Sequence, residues 1–302
     1  SGAADLSSMF KGLSGLTSLG VSGWDTSSAT DLSSMFEGCS SLESLDLSGW
    51  DTSSATSMAS MFSGCSSLGS IALPSWTASG DLSYMFSGCS SLESLDLSGW
   101  DTSAATSMAG TFYGCSSLAS LDVSGWDASG VTAFAAGDYV SYPDSYFSSR
   151  AGTFRGCSSL KSLDLSGWGV SSGARDLSGM FGGCTSLESL DLSGWDVSGA
   201  TSMAYMLYDC KSLSSLGLSG WRASSSAPLS DMFGGSRVSS LDLSGCAAAD
   251  ARLVLAGLRR GGSPSALSSL SLEGVDASGA ADLSSMFKGL SGLTSLGVSG
   301  WD

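Results

Sequence analysis

The 302-residue sequence contains no histidine, asparagine or glutamine, and only 13% of its residues are charged. Twelve Lys and Arg face 28 Asp and Glu, which gives a formal net charge of −16. Without histidine, the chain lacks the side chain that most often serves as a general base or as a metal ligand. The scarcity of clustered cations argues against nucleic acid or an anionic membrane as a partner, because their phosphates attract Lys and Arg.

Sequence motifs of enzymes and of membrane proteins are missing as well. The chain has no GxSxG nucleophile turn, no GxxxxGK phosphate loop and no dinucleotide fingerprint between a strand and a helix. No apolar run approaches the roughly 20 residues that cross a bilayer. No signal peptide or lipid-attachment motif is visible. We therefore expect neither catalysis nor membrane insertion from this segment.

The nine tryptophans, by contrast, all mark one position of an internal repeat, spaced mostly by 26 residues and sometimes by 24 or 27. A fixed period of about 20 to 50 residues is the signature of a solenoid. Alignment on the Phe of the recurring Met-Phe pair divides the chain into about eleven coils. Numbered 1 to 11, they are centred on Phe10, Phe36, Phe62, Phe86, Phe112, Phe154, Phe181, Leu207, Phe233, a degenerate position near Leu258, and Phe287.

The most regular coil, residues 31–56, reads DLSSMFEGCSSLESLDLSGWDTSSAT and contains the LxxLxL strand pattern of leucine-rich repeats. Alternation in a strand sends Leu45 and Leu47 inward and Asp46 outward. Asp31 is suited to cap a short helical turn on the opposite side of the coil. The sequence therefore predicts an α/β solenoid similar to a leucine-rich repeat, with one parallel β-sheet face and short helical turns opposite.

This repeat closely resembles the 26-residue unit of the BspA-like leucine-rich-repeat surface proteins. The resemblance lies in the run from Met35 to Trp50 and in the DTSxAT segment from Asp51 to Thr56, and it covers nearly the whole chain. It implies an extracellular or cell-surface protein, for which adhesion is the commonest proposed role. One departure is that Gly49 and Ser54 stand where the family often has Asn, which removes any Asn ladder along the backbone.

The two ends of the sequence are identical. Residues Ser1–Asp25 recur without a change as Ser278–Asp302. We interpret residues 1–302 as a single solenoid made of one 277-residue super-repeat plus one overlapping coil, taken from a longer tandem array. A chain designed to close or cap the solenoid, or a local duplication of one coil, are the alternatives. The array interpretation predicts end-to-end self-association.

The eight cysteines follow the repeat too, because seven of them stand three residues after the Met-Phe position and Cys246 occupies a tryptophan position. None forms a CxxC pair, so a zinc site of familiar spacing is not expected. We expect reduced thiols packed between coils, with disulfides between adjacent coils as the alternative. The seven are Cys39, Cys65, Cys89, Cys115, Cys157, Cys184 and Cys210.

The outward strand position carries aspartate in six coils, and this row is one candidate binding surface. Neighbouring carboxylates about 5 Å apart repel each other, and a cation such as Ca²⁺, which favours oxygen ligands, would relieve that repulsion. The alternative is that the carboxylates are solvated and bonded to neighbouring serines. The row consists of Asp46, Asp96, Asp122, Asp164, Asp191 and Asp242.

Two segments interrupt the period. An insertion at residues 130–148 is rich in aromatic side chains. Loops inserted into solenoids often bind partners or neighbouring subunits, and the alternative is a loop that folds back over a neighbouring coil. The aromatic residues of the insertion are Tyr139, Tyr142, Tyr146 and Phe147. The second segment, residues 247–262, has helical composition and brings Arg252, Arg259 and Arg260 together, either as a solvated basic face or as a dock for the acidic half of a neighbour.

Two classes of function are consistent with these features. One is an extracellular structural array that forms a surface fibre or layer. The other is a cell-surface adhesin that binds a protein or glycan through the Tyr-rich loop or the acidic strand face. The repeated ends favour the structural array.

Overall fold

The computed structural model describes residues 2–140, 149–223, 227, 229, 231–280 and 282–301, and of residues 137–140, 149 and 150 it describes only the backbone. These residues wind into a solenoid whose coils stack in parallel, as predicted. Nine of the coils, slightly fewer than the expected eleven, carry a three-residue strand at the LxL position. These strands are Ser44–Asp46, Ser70–Ala72, Ser94–Asp96, Ser120–Asp122, Ser189–Asp191, Ser215–Gly217, Ser240–Asp242, Ser269–Ser271 and Ser295–Gly297.

The strands pair in parallel and in register, coil upon coil. Leu95 lies opposite Leu121 and Asp96 opposite Asp122, while coils 7 to 11 form a continuous five-stranded sheet. In the pair formed by coils 4 and 5, the central leucines are buried and the flanking residues exposed. Coil 6 has no assigned strand, but its backbone still pairs with coil 7. The amide of Glu188 in coil 7 donates to the carbonyl of Lys161 in coil 6 at 3.0 Å. The alternation read from the sequence is thus confirmed.

Except in coil 10, the side of the coil opposite the strands consists of β-turns rather than the helical turns that were predicted. In coil 2, the amide of Ser33 donates to the Asp31 carboxylate at 2.8 Å, so this aspartate closes a local turn. Ser34 and Gly38 adopt positive φ angles of 56° and 75°, which a right-handed helix does not permit. The chain therefore reverses in tight turns at these residues.

These turns also present backbone donors to the next coil. The amide of Phe36 donates to the carbonyl of Met61 at 2.9 Å, and the amide of Gly38 donates to that of Ser63 at 2.7 Å. The intervening amides bond within the coil, as Glu37 does to Ser34 at 3.1 Å. Because inter-coil and local bonds alternate, this backbone is satisfied without forming a helix.

The remaining elements are few. Two short parallel pairs join neighbouring coils, one antiparallel hairpin leaves the solenoid, and one α-helix replaces the turns of coil 10. They are Gly80–Asp81 with Ala105–Ser107, Asp196–Val197 with Arg222–Ala223, the hairpin Ala135–Val140 with Ser149–Gly152, the helix Ala248–Gly261, and a 3-10 turn at Pro264–Ala266.

The hairpin lies in the predicted insertion at residues 130–148. Ala135 pairs with Gly152, and the hydroxyl of Tyr84 donates to the carbonyl of Ala136 at 2.9 Å. Buried Ala135 and Ala151 attach the base of the hairpin to the core. The residues beyond this base, 141–148, lie outside the described residues.

The helix Ala248–Gly261 coincides with the second irregular segment. Its strong helix formers place Ala251, Leu255 and Leu258 against the core. Arg252 is paired with Asp282 at 3.3 Å, and the Arg259 guanidinium donates to the carbonyl of Met286 at 2.6 Å. Two arginines of the predicted solvated basic face therefore bind coil 11 and hold the helix against it.

Stacked aromatic rings form the centre of the core. The phenylalanines of consecutive coils lie nearly parallel, with ring centroids of Phe36 and Phe62 5.6 Å apart. A second ladder runs through the tryptophans, where Trp100 and Trp126 are separated by 6.1 Å. Trp50 and Trp100 are each only 3% exposed, which confirms that these tryptophans are buried. Their stacking makes each coil depend on its neighbours.

All eight cysteines are buried, free thiols. The Cys65 thiol donates to the carbonyl of Phe36 in the preceding coil at 3.2 Å, and the Cys115 thiol donates likewise to Phe86 at 3.1 Å. Burial raises the pKa of the Cys65 thiol to about 12. The reduced, packed state expected from the sequence is therefore the one observed, and the thiols are chemically protected.

Replacing Trp126 by alanine should lower the free energy of unfolding by about 3 to 5 kcal/mol, because it removes a fully buried ring. The indole nitrogen also donates to the carbonyl of Leu97 at 3.0 Å, which would lose its partner. Urea denaturation measures the change. Trp24→Ala is the matched control, since Trp24 is only partly buried at the end of the ladder. Equal losses for the two variants would contradict the stacked core.

The native protein should not react with a thiol reagent such as Ellman's reagent over minutes, because burial and raised thiol pKa values suppress the reactive thiolate. After denaturation in guanidinium, all eight thiols should titrate. Recovering fewer than eight from the unreduced, denatured protein would reveal disulfides between coils.

Candidate functional surfaces

The strand face carries the predicted row of aspartates, and each is held by the same local turn. The Asp96 carboxylate accepts the amide of Ser98 at 3.0 Å and the hydroxyl of the same serine at 2.7 Å. Equivalent bonds from the amide two residues later reach the other members of the row, at 2.9 to 3.0 Å. The carboxylates are therefore bonded to neighbouring serines, which was the alternative to a cation site.

These bonds stabilise the charged form of the carboxylates. The hydroxyl and amide of Ser98 lower the pKa of Asp96, and the amide and hydroxyl of Ser166 lower the pKa of Asp164. Both carboxyl groups remain ionised at neutral pH. The row thus forms a negatively charged strip of hydrogen-bond acceptors along the strand face.

The structure places five of the six predicted aspartates in two groups on the same face, whereas Asp46 lies opposite Ala72. Asp96 and Asp122 lie side by side in coils 4 and 5. Asp164, Asp191 and Asp242 line an open depression of about 470 Å³ in coils 6 to 9. Its floor includes Leu163, Leu190, Leu216 and the backbone of Gly217. A side chain at Gly217 would meet a carboxylate oxygen of Asp191 at 2.6 Å, so the missing side chain in coil 8 makes room for Asp191.

The predicted aromatic loop is not part of either group. The backbone of Tyr139 lies in the strand Ala135–Val140, whereas Tyr142, Tyr146 and Phe147 lie outside the described residues. The binding role of these four side chains stays a prediction.

A second surface, on the turn edge, was missed in the sequence. Tyr113, Arg155, Tyr208 and Asp209 line a depression of about 280 Å³ whose floor is glycine backbone, including Gly182. We call it the turn-edge cleft. These side chains come from coils 5, 6 and 8. The sequence signal that marks Tyr113 and Tyr208 is departure from the repeat, because the residue after the Met-Phe position is small or charged in the other coils, as it is at Arg155.

Within the described parts of the chain, two kinds of site are not found. No group of three or more Cys, Asp or Glu is arranged to hold a metal ion, so the aspartate row there provides no such cluster for Ca²⁺. No helix among the same residues is both long and apolar enough to cross a membrane.

The stacked coils, the parallel strand face and the LxL pattern define the protein as a solenoid of the leucine-rich-repeat kind. A family model described as "Mycoplasma protein of unknown function, DUF285" matches residues 1–80, 75–137 and 145–245. These matches cover well over half of the chain, and the chain belongs to this family.

Two other comparisons add little to this assignment. No curated protein matches the chain. Among solved structures, one described as "Crystal structure of TLR13-ssRNA13 complex" matches with a TM-score of 0.33 and 17% sequence identity. That match covers 84% of this chain, which spans only 42% of the other chain's length. The RNA named in that description belongs to the complex of the other protein.

Removing one carboxylate of the row should destabilise the protein in a pH-dependent way. The pKa of Asp96 is lowered in the folded state, so its bonds stabilise the fold fully above the unfolded pKa of about 3.9 and lose that effect as the pH falls through the lower pKa of the folded state. Asp96→Ala should therefore lower Tm at pH 6, and the Tm difference should shrink steadily as the pH falls below about 4. Thermal unfolding of both proteins across this range measures the difference. A Tm difference that does not change with pH would contradict the assignment.

Proposed function

We propose that this chain is a structural repeat protein of the cell exterior, a segment of a tandem array whose coils continue from one super-repeat to the next in a surface fibre or layer. The observation that carries the proposal is the complementary exposure of the two identical end coils, residues 1–25 and 278–302. The proposal assigns the chain no catalytic role.

The two copies expose opposite faces of one coil. In coil 1, Met9 is 53% exposed while Val21 is buried. In coil 11, the equivalent Met286 is buried while the equivalent Val298 is 47% exposed. The face left open at one end is the face covered at the other. A coil stacked on either end would bury apolar side chains at positions that most internal coils already bury.

The backbone edges are complementary as well. Coil 1 donates to coil 2, as from the amide of Phe10 to the carbonyl of Met35 at 2.9 Å. In coil 11 the equivalent amide, that of Phe287, has no backbone acceptor among the described residues. An open edge of this kind is a template for pairing with another chain or repeat. A further coil at the coil 11 end would supply the missing acceptors.

The charge distribution is compatible with such stacking. Residues 1–149 contain 15 acidic and one basic residue, a net charge of −14, whereas residues 150–302 contain 13 acidic and 11 basic residues, a net charge of −2. Head-to-tail order places each acidic half beside a nearly neutral one and limits repulsion between super-repeats.

An extracellular location is supported by the resemblance of the repeat to that of the BspA-like surface proteins. The adhesin alternative, with binding through the Tyr-rich loop or the acidic strand face, stays a prediction from the sequence. Of the two, the array is preferred because the apolar and backbone complementarity of the end coils is a specific feature of this chain.

End-to-end association is tested with the purified chain. Sedimentation velocity at increasing concentration should show growing oligomers, and electron microscopy should show threads with an axial repeat of about 53 Å, which is the eleven coils of one chain at the strand spacing. Met9→Glu and Val298→Glu should each abolish association, because a charge would be buried at the junction.

The matched control is Ser103→Glu, which adds the same charge to an exposed turn on the side of the solenoid. This variant should associate like the parent protein. The array proposal fails if the parent remains a monomer at high concentration, or if all three variants behave alike.

A further inference from the structure

Coil 8 departs from the repeat at several positions, and three of these departures lie at or beside the turn-edge cleft. Asp209 occupies a position where nine other coils have glycine with φ between 72° and 83°, and Asp209 itself adopts φ 59°. Aspartate is among the residues that adopt this left-handed region most readily, and serine adopts it at the position of Ser34, so what marks Asp209 is the exchange of glycine for a charged side chain. Tyr205 and Tyr208, in the same coil, replace the small or charged residues found there in most coils.

The side chains around the cleft are positioned by glycines in the following coil. A side chain at Gly234 would meet the ring of Tyr208 at 2.6 Å, and one at Gly182 would meet the Arg155 guanidinium at 3.1 Å. The ring of Tyr208 thus packs on the backbone of Gly234, and the guanidinium of Arg155 packs on the backbone of Gly182. Tyr205 contacts Tyr208 edge to face, with ring centroids 5.7 Å apart, and so orients it.

The floor between these side chains is formed by the backbone of equivalent glycines in successive coils. A side chain at Gly156 would lie 3.5 Å from the Cα atom of Gly114, and one at Gly183 would lie 3.7 Å from the Cα atom of Gly156. The cleft therefore combines a flat floor, two tyrosines, one cation and one carboxylate. Its volume of about 280 Å³ is close to the lower limit of about 300 Å³ for small-molecule sites.

We propose that the turn-edge cleft binds a neutral sugar ring, a hexopyranose residue of a glycan. Tyrosine offers a large, rigid surface at low entropic cost, and its face suits the apolar C–H side of a pyranose. The Arg155 guanidinium can only donate hydrogen bonds and the Asp209 carboxylate can only accept them. Sugar hydroxyls do both, so one ring can bond to both groups.

The charge pattern selects a neutral ligand. An acidic sugar would be attracted to Arg155 but repelled by Asp209. A cationic ligand would be attracted to Asp209 but repelled by Arg155. Lys211 lies 3.1 Å from the Asp209 carboxylate and fixes its position without removing its capacity to accept. This proposal is independent of the array, because every residue of the cleft belongs to one chain and none belongs to either end coil.

The test is binding of methyl hexopyranosides (glucoside, galactoside and mannoside) and their linear oligosaccharides, measured by saturation-transfer NMR and calorimetry on the purified chain. At least one neutral series should bind. Tyr208→Ala and Arg155→Ala should weaken that binding about tenfold or more, the effect of losing one good contact. Glu37→Ala, at the position of Arg155 but in coil 2, should bind like the parent.

Asp209→Gly distinguishes a binding role from a structural one. It restores the glycine of the other coils, so it should raise Tm while weakening sugar binding about tenfold. Equal affinity in Asp209→Gly and the parent would overturn the role of this carboxylate. Absence of binding to every neutral sugar, or binding only to N-acetylneuraminic or glucuronic acid, would overturn the proposal as a whole.

Discussion

In coils 1 to 8, alternate backbone amides on the turn side donate to the next coil, and the rest of the structure depends on this row of bonds. It fixes the register in which Phe36 stacks on Phe62 and Cys65 reaches the carbonyl of Phe36. It also requires residues with positive φ at two places per coil, which is why glycine recurs at the position of Gly38. A slip by one residue would turn the inward side chains outward and destroy both aromatic ladders.

The core and the strand face could be predicted from the sequence because the same spacing of apolar residues recurs in most coils. Tryptophan and leucine spacing alone placed Trp50 inside and Asp46 outside. The turn side was predicted less well. Ser34 adopts a left-handed conformation, which the sequence does not indicate because no glycine stands at this position. The DLSSMF segment therefore resembled the start of a capped helix. Only neighbouring coils, which accept its amides, reveal why β-turns are preferred, and a single coil considered alone does not contain that information.

The functional surfaces show a related limit. The aspartate row was identified correctly by position, and its bonding to serine follows from the Asp-x-Ser spacing. The turn-edge cleft was missed because its residues are far apart in sequence, with the insertion between Tyr113 and Arg155. What makes Asp209 informative is that it interrupts a series of glycines. In a repeat protein, a residue that breaks the pattern without an evident structural gain points to a functional or strained site.

The uniform direction of the turn-side bonds has a consequence for symmetry. Because the amides of this row point toward the C-terminal end, that end offers hydrogen-bond donors and the opposite end offers acceptors. A two-fold dimer formed through either end would bring like groups together and leave both rows unpaired. Contacts that extend the row are therefore heterologous and open. The solenoid is directional in the same sense as the subunit of a helical polymer, with two tips that differ chemically although their sequences are the same.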